Sequence, residues 1–307
     1  MRISVVMATY NGEKYIEEQI KSILNQKRLP DEIIINDDGS KDKTLEILKK
    51  YVNEYSNIEW KVNKNVYNLG YIKNFLKAIY DSTGDIIILS DQDDIWSTEK
   101  TSIIQSYFET YPDMLSLHMD YSIIDEYGRI IKNNGIKYRK HIEKYTIQHF
   151  ISRLNYCGMS SAFRGSIKKY LSLLNVDLLP THDWTIHAIS VLHDGMYVSD
   201  KVVSYRRAHG DNVALNLNPT IRKGIYQRIE VVNGYYTYYL LLKNINDLVC
   251  SPLYTDYIIR LINIQKIRLN YLNKRGVFAW LLESRHIKYF PTVSSYICDG
   301  LYLINLY

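Results

Sequence analysis

Cysteine is scarce in this chain of 307 residues: Cys157, Cys250 and Cys298 stand far apart, without a Cys-x-x-Cys pair. This spacing argues against a disulfide framework and against a structural zinc site, and it is typical of a reducing compartment. The sequence also has no His-Glu-x-x-His motif, the usual mark of a catalytic zinc on a helix.

Long apolar runs are missing as well. The most apolar segment, residues 235–242, is far shorter than the roughly 18 residues that a membrane-spanning helix requires. The apolar stretch after Met1 is too short for the core of a signal peptide and runs at once into polar residues. We therefore expect a cytoplasmic protein.

The chain does have an apolar fraction of 46% and a charged fraction of 23%, which are ordinary for a folded protein. The charges are unevenly distributed, since residues 1–100 carry 14 basic and 17 acidic side chains whereas residues 201–307 carry 14 and 6. The basic last third suits a phosphate-rich partner or an anionic membrane surface, and a solvated basic face explains it equally well.

Strand and helix patterns alternate through the first 95 residues. Apolar runs of strand character lie at residues 3–8, 32–36, 58–62 and 86–90. Between these runs, apolar residues recur at helical spacing, as at Ile16, Ile20 and Ile23. This alternation predicts an α/β fold with a doubly wound, mostly parallel central sheet.

Beyond residue 100 the pattern is less regular. It predicts a strand over residues 115–124, a polar loop over 133–145, helices over 166–175 and 183–192, and an edge strand over 197–205. From about residue 220 the chain is helical and basic, which predicts a helical C-terminal extension.

An acidic run follows the fourth predicted strand directly. Asp91, Asp93 and Asp94 come after the apolar residues 86–89, where a buried parallel strand would end. Ligands of open α/β sheets bind outside the carboxyl ends of the strands, and two acids at i and i+2 suit a hard divalent cation held together with phosphates. A solvated acidic turn is the alternative interpretation.

Two further polar clusters leave the first and second predicted strands, at residues 8–13 and 37–40. If the strands are parallel, both clusters converge with the acidic run at one edge of the sheet, where helix N-termini favour anions. Tyr10 offers a ring face to a base, and the acids of residues 37–40 offer a carboxylate to a base or ribose. The three clusters predict a nucleotide-diphosphate site that has neither a P-loop nor a G-x-G-x-x-G turn.

These motifs resemble those of the family 2 glycosyltransferases and, within them, of bacterial rhamnosyltransferases of surface-polysaccharide synthesis. The matching segments are residues 5–12, 35–42, 68–74, 89–96, 181–184 and 205–212, so the resemblance covers about residues 1–215. It implies a GT-A fold over residues 1–215, with a nucleotide-binding half at 1–100 and an acceptor half at 101–215. Residues 216–307 would form the basic helical extension.

The resemblance also implies roles for individual residues. Tyr10 and Asp38 would contact the base, Asp91 the ribose and Asp93 the metal, while Asp183 falls where the family has its general base. The residues expected to bind the donor nucleotide are Ala8, Thr9, Tyr10, Asn11, Glu13, Asp37, Asp38, Asp91 and Gln92. Asp93 and His209 would ligate a divalent cation, Mg or Mn. The diphosphate or acceptor side would include Asp94, Trp96, Gly158, His182, Trp184, Arg206 and Arg207.

Several of these residues have a structural interpretation too. Asp183 could cap a helix, and His209 could be structural. Trp96 and Trp184 could stack on a sugar or pack in the core. Arg206 and Arg207 suit phosphate oxygens but could lie on a solvated edge, and Gly158 is expected to meet a backbone requirement.

Two residues depart from the family pattern. Thr185 stands where the subgroup often has a bulky aromatic residue, and Ala208 interrupts the commoner Tyr-Arg-Gln-His pattern. Both lie on the acceptor or diphosphate side. The resemblance therefore says less about the identity of the acceptor than about the donor chemistry.

The implied activity is an inverting, metal-dependent glycosyltransferase that moves L-rhamnose from dTDP-rhamnose onto a lipid-linked or polymeric surface glycan. A hexosyl or galactofuranosyl transferase with a UDP-sugar donor is the alternative. A sugar nucleotidyltransferase, which needs a glycine-rich basic phosphate loop, and a non-catalytic glycan-binding subunit are more distant. The acceptor would be a glycan or a polyprenyl-diphosphate-linked sugar reached by peripheral contact with the inner face of the cytoplasmic membrane; no nucleic acid is expected.

Overall fold

The computed structural model describes residues 1–133, 141–152, 156–209, 225–291 and 293–304. The chain divides into two compact units. The first unit comprises residues 1–146 and 154–216, and the second comprises residues 147–153 and 217–307.

A mixed sheet forms the centre of the first unit. Its strands in the described residues are β1 (Ile3–Thr9), β2 (Glu32–Asp37), β3 (Glu59–Lys64), β4 (Ile86–Ser90), β5 (Ile95–Trp96), β6 (Ser116–Ile124), β7 (Ile130–Asn133), β8 (Ile142–Lys144), β9 (Ser161–Arg164) and β10 (Met196–Arg207). They run in the order β3-β2-β1-β4-β9-β6-β10-β5, with β7 beside β6 and β8 beside β10. The strands β3, β2, β1 and β4 are mutually parallel, as predicted for the first 95 residues.

Helices cover the parallel half of the sheet because β1, β2 and β4 are buried on both faces. These are α1 (Ile16–Leu24), α2 (Thr44–Glu54) and α3 (Tyr71–Asp81), each lying between two consecutive strands. Every residue of β2 and β4 is buried, and Ile16, Ile20 and Ile23 of α1 are fully buried in the same core. The ends of β1, β2 and β4 are thereby fixed at one edge of the sheet.

Beyond residue 100, the structure confirms the strand near residues 115–124 as β6. It confirms the helix predicted over residues 183–192 as α7 (His182–Leu192), and it adds α4 (Lys100–Thr110) and α6 (Lys168–Leu171) to the first unit. The helix predicted over 166–175 is thus only the four residues of α6, preceded by a 3-10 turn over residues 165–167. The polar loop predicted over 133–145 is wrong at its end, where β8 pairs with β10, while residues 134–140 lie outside the described part.

The edge strand predicted over residues 197–205 is also wrong. β10 is an inner strand that pairs with β6 in parallel and with β5 and β8 in antiparallel fashion. Its register against β6 shifts on both sides of Val202, and residues 201 and 202 are exposed there. Because of this local irregularity, an inner strand shows the alternation of polar and apolar residues that is typical of an edge strand.

The second unit is helical, as predicted from about residue 220 onward. Its helices in the described residues are α5 (Ile147–Ser152), α8 (Ile225–Leu248), α9 (Thr255–Asn273), α10 (Val277–Leu282) and α11 (Val293–Leu303), with a 3-10 segment over residues 283–289. Val232, Tyr271, Leu272 and Leu303 form a small apolar core. None of the helices in the described part of the chain combines the length and the apolar character needed to cross a bilayer.

Candidate active site

The loop after β1 is tied to the loops after β2 and β4 by its backbone. The Tyr10 amide donates to Gln92 Oε1 at 2.9 Å, and Gln92 Nε2 donates back to the Tyr10 carbonyl at 3.1 Å. Asn11 has a positive φ of 47°, and its amide donates to Ser40 Oγ. Because these bonds hold the backbone, the half-exposed Tyr10 ring is presented at the edge of the sheet.

Thr9, Asn11 and Glu13 act within these loops. Thr9 Oγ1 donates to Asp37 at 2.9 Å, Asn11 Oδ1 accepts from the Lys41 amide at 3.0 Å, and Glu13 accepts from the Lys43 amide at 2.9 Å. Ala8 lies in β1 opposite Asn36 of β2. The three hydrogen bonds therefore hold the end of β1 and the loop that follows it against the residues at the end of β2 and after it.

Asp37 and Asp38 are both buried and both organise loops. Asp37 accepts from the amides of Gly39 and Ser40, which closes the turn after β2. Asp38 accepts from the amides of Leu69 and Gly70, at 2.8 and 2.9 Å, and from Asn65 Nδ2. Asp38 thus connects the end of β2 to the loop that precedes α3, which the sequence did not indicate.

The acidic turn after β4 concentrates negative charge in a deep but open position. Burial raises the pKa of Asp91 to about 7, the charge of Asp93 adds to the rise, and Arg206 opposes it. Asp183 contributes to the same effect, so its charge also lies close to Asp91. The turn is therefore poised to gain from a cation, and the solvated-turn alternative is not what the structure shows.

Asp93 and His209, the two predicted metal ligands, lie next to each other at this turn. Asp93 Oδ2 lies 2.8 Å from His209 Nε2, and both side chains are largely buried. Two neighbouring ligands of an octahedral cation with bonds of about 2.1 Å lie about 3 Å apart, so this spacing fits one shared ion. No group of three His, Cys, Asp or Glu side chains is arranged to hold a metal within the described residues. The remaining ligands of such an ion would have to come from the donor phosphates and water.

Asp94, the last acid of the turn, and Lys100 are both buried. Asp94 accepts from the Arg207 amide at 2.9 Å through Oδ1, while Oδ2 has no partner among the described residues. Burial, with the charges of Asp93 and Asp91, holds the pKa of Asp94 well above its usual value. Lys100 is fully buried, donates to the Met159 carbonyl at 2.6 Å, and burial lowers its pKa well below the ordinary value. Lys100 therefore lies on the buried side of the acidic turn. The sequence did not single it out, because a lysine on a helix is usually solvated.

Trp96 and Trp184 are core residues, so their interpretation as sugar-stacking residues is wrong. Trp96 is 3% exposed and Trp184 is 2% exposed, which leaves neither ring a free face for a sugar. The Trp96 ring instead lies 3.7 Å from Lys100 Nζ, measured to the ring centroid.

The two consecutive arginines of β10 differ. Arg207 is fully buried and donates to Glu18 and to the carbonyls of Asp93, Asp125 and Glu126. These bonds make Arg207 a structural residue, and its expected contact with the diphosphate is not supported.

Arg206 lies near the acidic turn. Its guanidinium makes a weak bond to Cys157 Sγ at 3.8 Å and interacts with the Tyr121 side chain, and its charge lowers the pKa of Asp91. Cys157 in turn donates to Tyr121 Oη at 3.3 Å, and burial raises the pKa of the Cys157 thiol. Cys157 and Tyr121 are further residues that sequence reasoning missed, since no local pattern singled them out.

Asp183 lies in the first turn of α7, but it is not the capping residue. Thr181 is the N-cap, and its Oγ1 accepts from the Trp184 amide at 3.2 Å. Asp183 Oδ1 accepts from the same amide at 2.8 Å and from the Thr181 hydroxyl, while Oδ2 faces Gly158. One carboxylate oxygen is therefore fixed by the helix and the other is turned toward the site.

His182 and Gly158 complete this wall. His182 stacks on Phe75 with ring centroids 4.1 Å apart, and neither ring nitrogen has a partner among the described residues. Burial lowers the pKa of His182, so the ring is neutral at neutral pH. A Cβ on Gly158 would lie 3.3 Å from His182 Nε2 and 3.6 Å from Asp183 Oδ2. Gly158 therefore provides clearance for these two side chains rather than a special backbone conformation.

The departures from the family pattern are accommodated locally. The Thr185 hydroxyl donates to the Thr181 carbonyl at 2.7 Å, and the Ala208 amide donates to the Ile124 carbonyl at 2.8 Å.

A separate groove of about 570 Å³ lies along α3, lined by Lys73, Lys77, Tyr80 and neighbouring residues, and contains none of the predicted site residues.

Solved structures share this architecture. The crystal structure of S. aureus TarS 1–349 in complex with UDP matches with a TM-score of 0.58 at 18% identity, over 100% of this chain and 92% of that one. The mannosyltransferase PcManGT from Pyrobaculum calidifontis, in complex with GDP-Man and Mn2+, matches with a TM-score of 0.54 at 14% identity, over 99% and 85%. The fold is thus the GT-A fold of glycosyltransferases.

The family itself follows from the sequence comparison. Residues 4–171, more than half of the chain, match the model of glycosyl transferase family 2, and the chain belongs to that family. The dTDP-rhamnosyl transferase RfbG of Shigella flexneri is 47% identical over 100 residues, which are 31% of this chain and 34% of that protein. The chain therefore spans about a third of the length of this relative. The chain thus carries a glycosyl transferase family 2 domain.

Proposed function

We propose that this enzyme is an inverting, metal-dependent glycosyltransferase that moves L-rhamnose from dTDP-rhamnose onto a lipid-linked or polymeric surface glycan. The observation that carries the reaction class is the meeting of four charged groups at one place. Asp93, Arg206 and Asp183 all lie close enough to Asp91 to change its pKa. Such a meeting of carboxylates and a guanidinium suits a sugar diphosphate whose anomeric carbon is attacked beside a base.

In this proposal the donor lies along the ends of β1, β2 and β4. Tyr10 presents its exposed ring to the base, and Asp91 faces the ribose. Asp93 and His209 would hold the divalent cation, which would neutralise charge on the diphosphate. Arg206 would approach the phosphate oxygens, because a guanidinium suits them well.

Asp183 is the proposed general base. Its Oδ2 atom faces the space beside Gly158, where the acceptor hydroxyl would lose its proton as the sugar is attacked from the face opposite the leaving diphosphate. His182, neutral and unpartnered beside it, would orient the same hydroxyl through a ring nitrogen. The fixed Oδ1 atom keeps the carboxylate from rotating away.

The sugar is supported by the likeness to the dTDP-rhamnosyl transferase. A hexosyl or galactofuranosyl transferase with a UDP-sugar donor is the second candidate, since the TarS structure that shares the fold contains UDP. The growing glycan or a polyprenyl-diphosphate-linked sugar would be the acceptor for either donor.

A donor screen tests the proposal. dTDP-rhamnose and a set of UDP-hexoses are supplied with Mn or Mg, and nucleotide release and ligand-induced thermal shifts are measured. We expect dTDP-rhamnose to give the largest shift and the fastest release, and Asp93→Ala to lose both the turnover and the metal-dependent shift. Preference for a UDP-hexose would overturn the choice of rhamnose, and unchanged turnover in Asp93→Ala would overturn the mechanism.

A further inference from the structure

An exposed apolar surface lies on the second unit. On α10, Phe278 is 85% exposed and Leu282 is 66% exposed, and Leu281 is exposed beside them. On α11, the exposed apolar residues Val293 and Ile297 are four residues apart. The spacings of three and four residues place each set on one side of its helix. Large apolar side chains grouped in this way mark an interaction surface.

The two helices hold this surface in place by packing on each other. The Trp280 ring of α10 stacks on Tyr296 of α11 with centroids 5.1 Å apart, and Trp280 Nε1 donates to the Tyr296 carbonyl at 3.0 Å. A Cβ on Gly300 would come within 2.2 Å of the Trp280 ring, so α10 lies directly against α11. Trp280 occupies the inner side of α10, which leaves Phe278 and Leu282 outside.

The exposed charges of the segment that carries this surface have one sign. Residues 273–304 contain four lysines and arginines, all exposed: Lys274, Arg275, Arg285 and Lys288. The two acids of the same segment, Glu283 and Asp299, are buried, and Asp299 is paired with Arg228 and Arg268. In this described segment the exposed charge is therefore entirely positive.

An anionic bilayer fits this combination better than a second copy of the chain. Two copies meeting through this surface would bring like charges together, which opposes association. A bilayer with anionic headgroups offers attraction to the cations and an apolar interior to Phe278 and the leucines.

We propose that α10 and α11 form a membrane-docking surface, called here the α10–α11 face and consisting of Phe278, Leu281, Leu282, Val293, Ile297, Lys274, Arg275, Arg285 and Lys288. Its apolar side chains enter the interfacial region of an anionic bilayer, and its cations bind the headgroups. The docking does not depend on which sugar is transferred. It would bring the enzyme to a lipid-linked acceptor.

The test is binding of the whole protein to sedimented vesicles of phosphatidylcholine with and without phosphatidylglycerol. The wild type should bind the phosphatidylglycerol vesicles at least about tenfold more tightly, and salt should weaken this binding. Phe278→Ser with Leu282→Ser should weaken it at least about tenfold, since two large apolar side chains are lost. Lys274→Gln with Arg275→Gln should remove most of the preference for phosphatidylglycerol.

Leu248→Ser with Leu253→Ser is the matched control, because both leucines are about half exposed in the same unit but lie outside the α10–α11 face. This variant should bind as the wild type does. Thermal unfolding of each variant should be unchanged, since only exposed side chains are replaced.

Three outcomes would overturn the proposal. They are absence of vesicle binding by the wild type, full binding by Phe278→Ser with Leu282→Ser, and equal loss in the control. A concentration-dependent dimer in light scattering that the Phe278 and Leu282 changes dissociate would assign the face to a second copy instead. Vesicle binding is measured without donor, so its failure is independent of the donor screen.

Discussion

At the residue scale, Asp183 shows how one carboxylate can serve a helix and a reaction together. Its Oδ1 atom accepts from the Trp184 amide, and its Oδ2 atom faces Gly158. Thr181 already provides the N-cap, so the helix does not depend on the charge of Asp183. Helix stability and proton acceptance can therefore be separated by mutation.

Asp183→Asn keeps an oxygen at the Oδ1 position but removes the base. We expect transfer to fall by about two to four orders of magnitude while the dissociation constant of the donor stays within about twofold. Transfer is measured as sugar incorporation, and donor binding by calorimetry. Asp177→Asn is the control, since it removes a carboxylate from an exposed ion pair with Lys73 and should leave transfer intact. If Asp183→Asn transferred sugar at the normal rate, the base would have to be sought elsewhere.

Individual residues were predictable where a motif surrounds them. Asp91 and Asp93 could be chosen from the sequence because acids follow a buried strand in a recognisable pattern, whereas Asp183 was chosen through the resemblance to family 2 glycosyltransferases. Lys100 could not, because its burial depends on Met159, a residue 59 positions away. Arg206 and Arg207 could not be distinguished either, since alternation along a strand does not reveal which of two arginines finds internal partners.

At the element scale, the regular parallel half was predictable and the antiparallel part was not. β1, β2, β4 and the helices between them follow from local apolar patterns, because each strand is buried on both faces. β9 has only four residues, and its position between β4 and β6 depends on pairing with distant segments. No local pattern could specify that pairing.

The helices α8, α9 and α11 of the second unit are joined by a buried ionic cluster. Asp299 accepts from Arg228 Nε at 2.6 Å, from Arg268 Nε at 2.8 Å and from the Tyr271 hydroxyl. Asp299 and Arg268 are fully buried, so the two guanidinium groups depend on this carboxylate for compensation.

Asp299→Asn should destabilise this helical unit by about 3–5 kcal/mol, because it leaves buried positive charge uncompensated. Asp247→Asn removes an exposed carboxylate that pairs with Lys243 within α8, and it should change the stability by less than about 0.5 kcal/mol. Urea unfolding followed by circular dichroism measures both. If both substitutions lowered the free energy of unfolding equally, the buried cluster would contribute no more to stability than the exposed ion pair does.

At the scale of the whole molecule, the buried acids lower the stability of the folded protein without ligand, and they favour the binding of a cation. Burial and the charge of Asp93 raise the pKa of Asp91 to about 7, above that of an aspartate in the unfolded chain. The folded protein therefore holds this proton more tightly than the unfolded chain does. The stability contributed by the protonated group is complete below about pH 4 and is lost as the pH rises through 7.

Asp91→Asn should consequently stabilise the protein without ligand at pH 8, by on the order of 2 kcal/mol, and by about a third as much at pH 5. The same change should weaken donor binding, since the proposed ribose contact is lost. Unfolding free energies at the two pH values measure the first effect. Asp177→Asn, at an exposed ion pair with Lys73, should be nearly neutral at both. A gain of equal size at pH 5 and pH 8 would contradict the electrostatic explanation.

Arg207 has a consequence for the order of events during synthesis. Its side chain joins Glu18 to the end of β10, 189 residues later, and also donates to the Asp93 carbonyl in the acidic turn. At about 5–20 residues per second a ribosome needs roughly 10–40 seconds to cover that distance. During this interval the nascent chain acquires the acidic turn but lacks the arginine that joins this turn to α1. The proposed donor site is therefore complete only once two distant parts of the polypeptide have both left the ribosome.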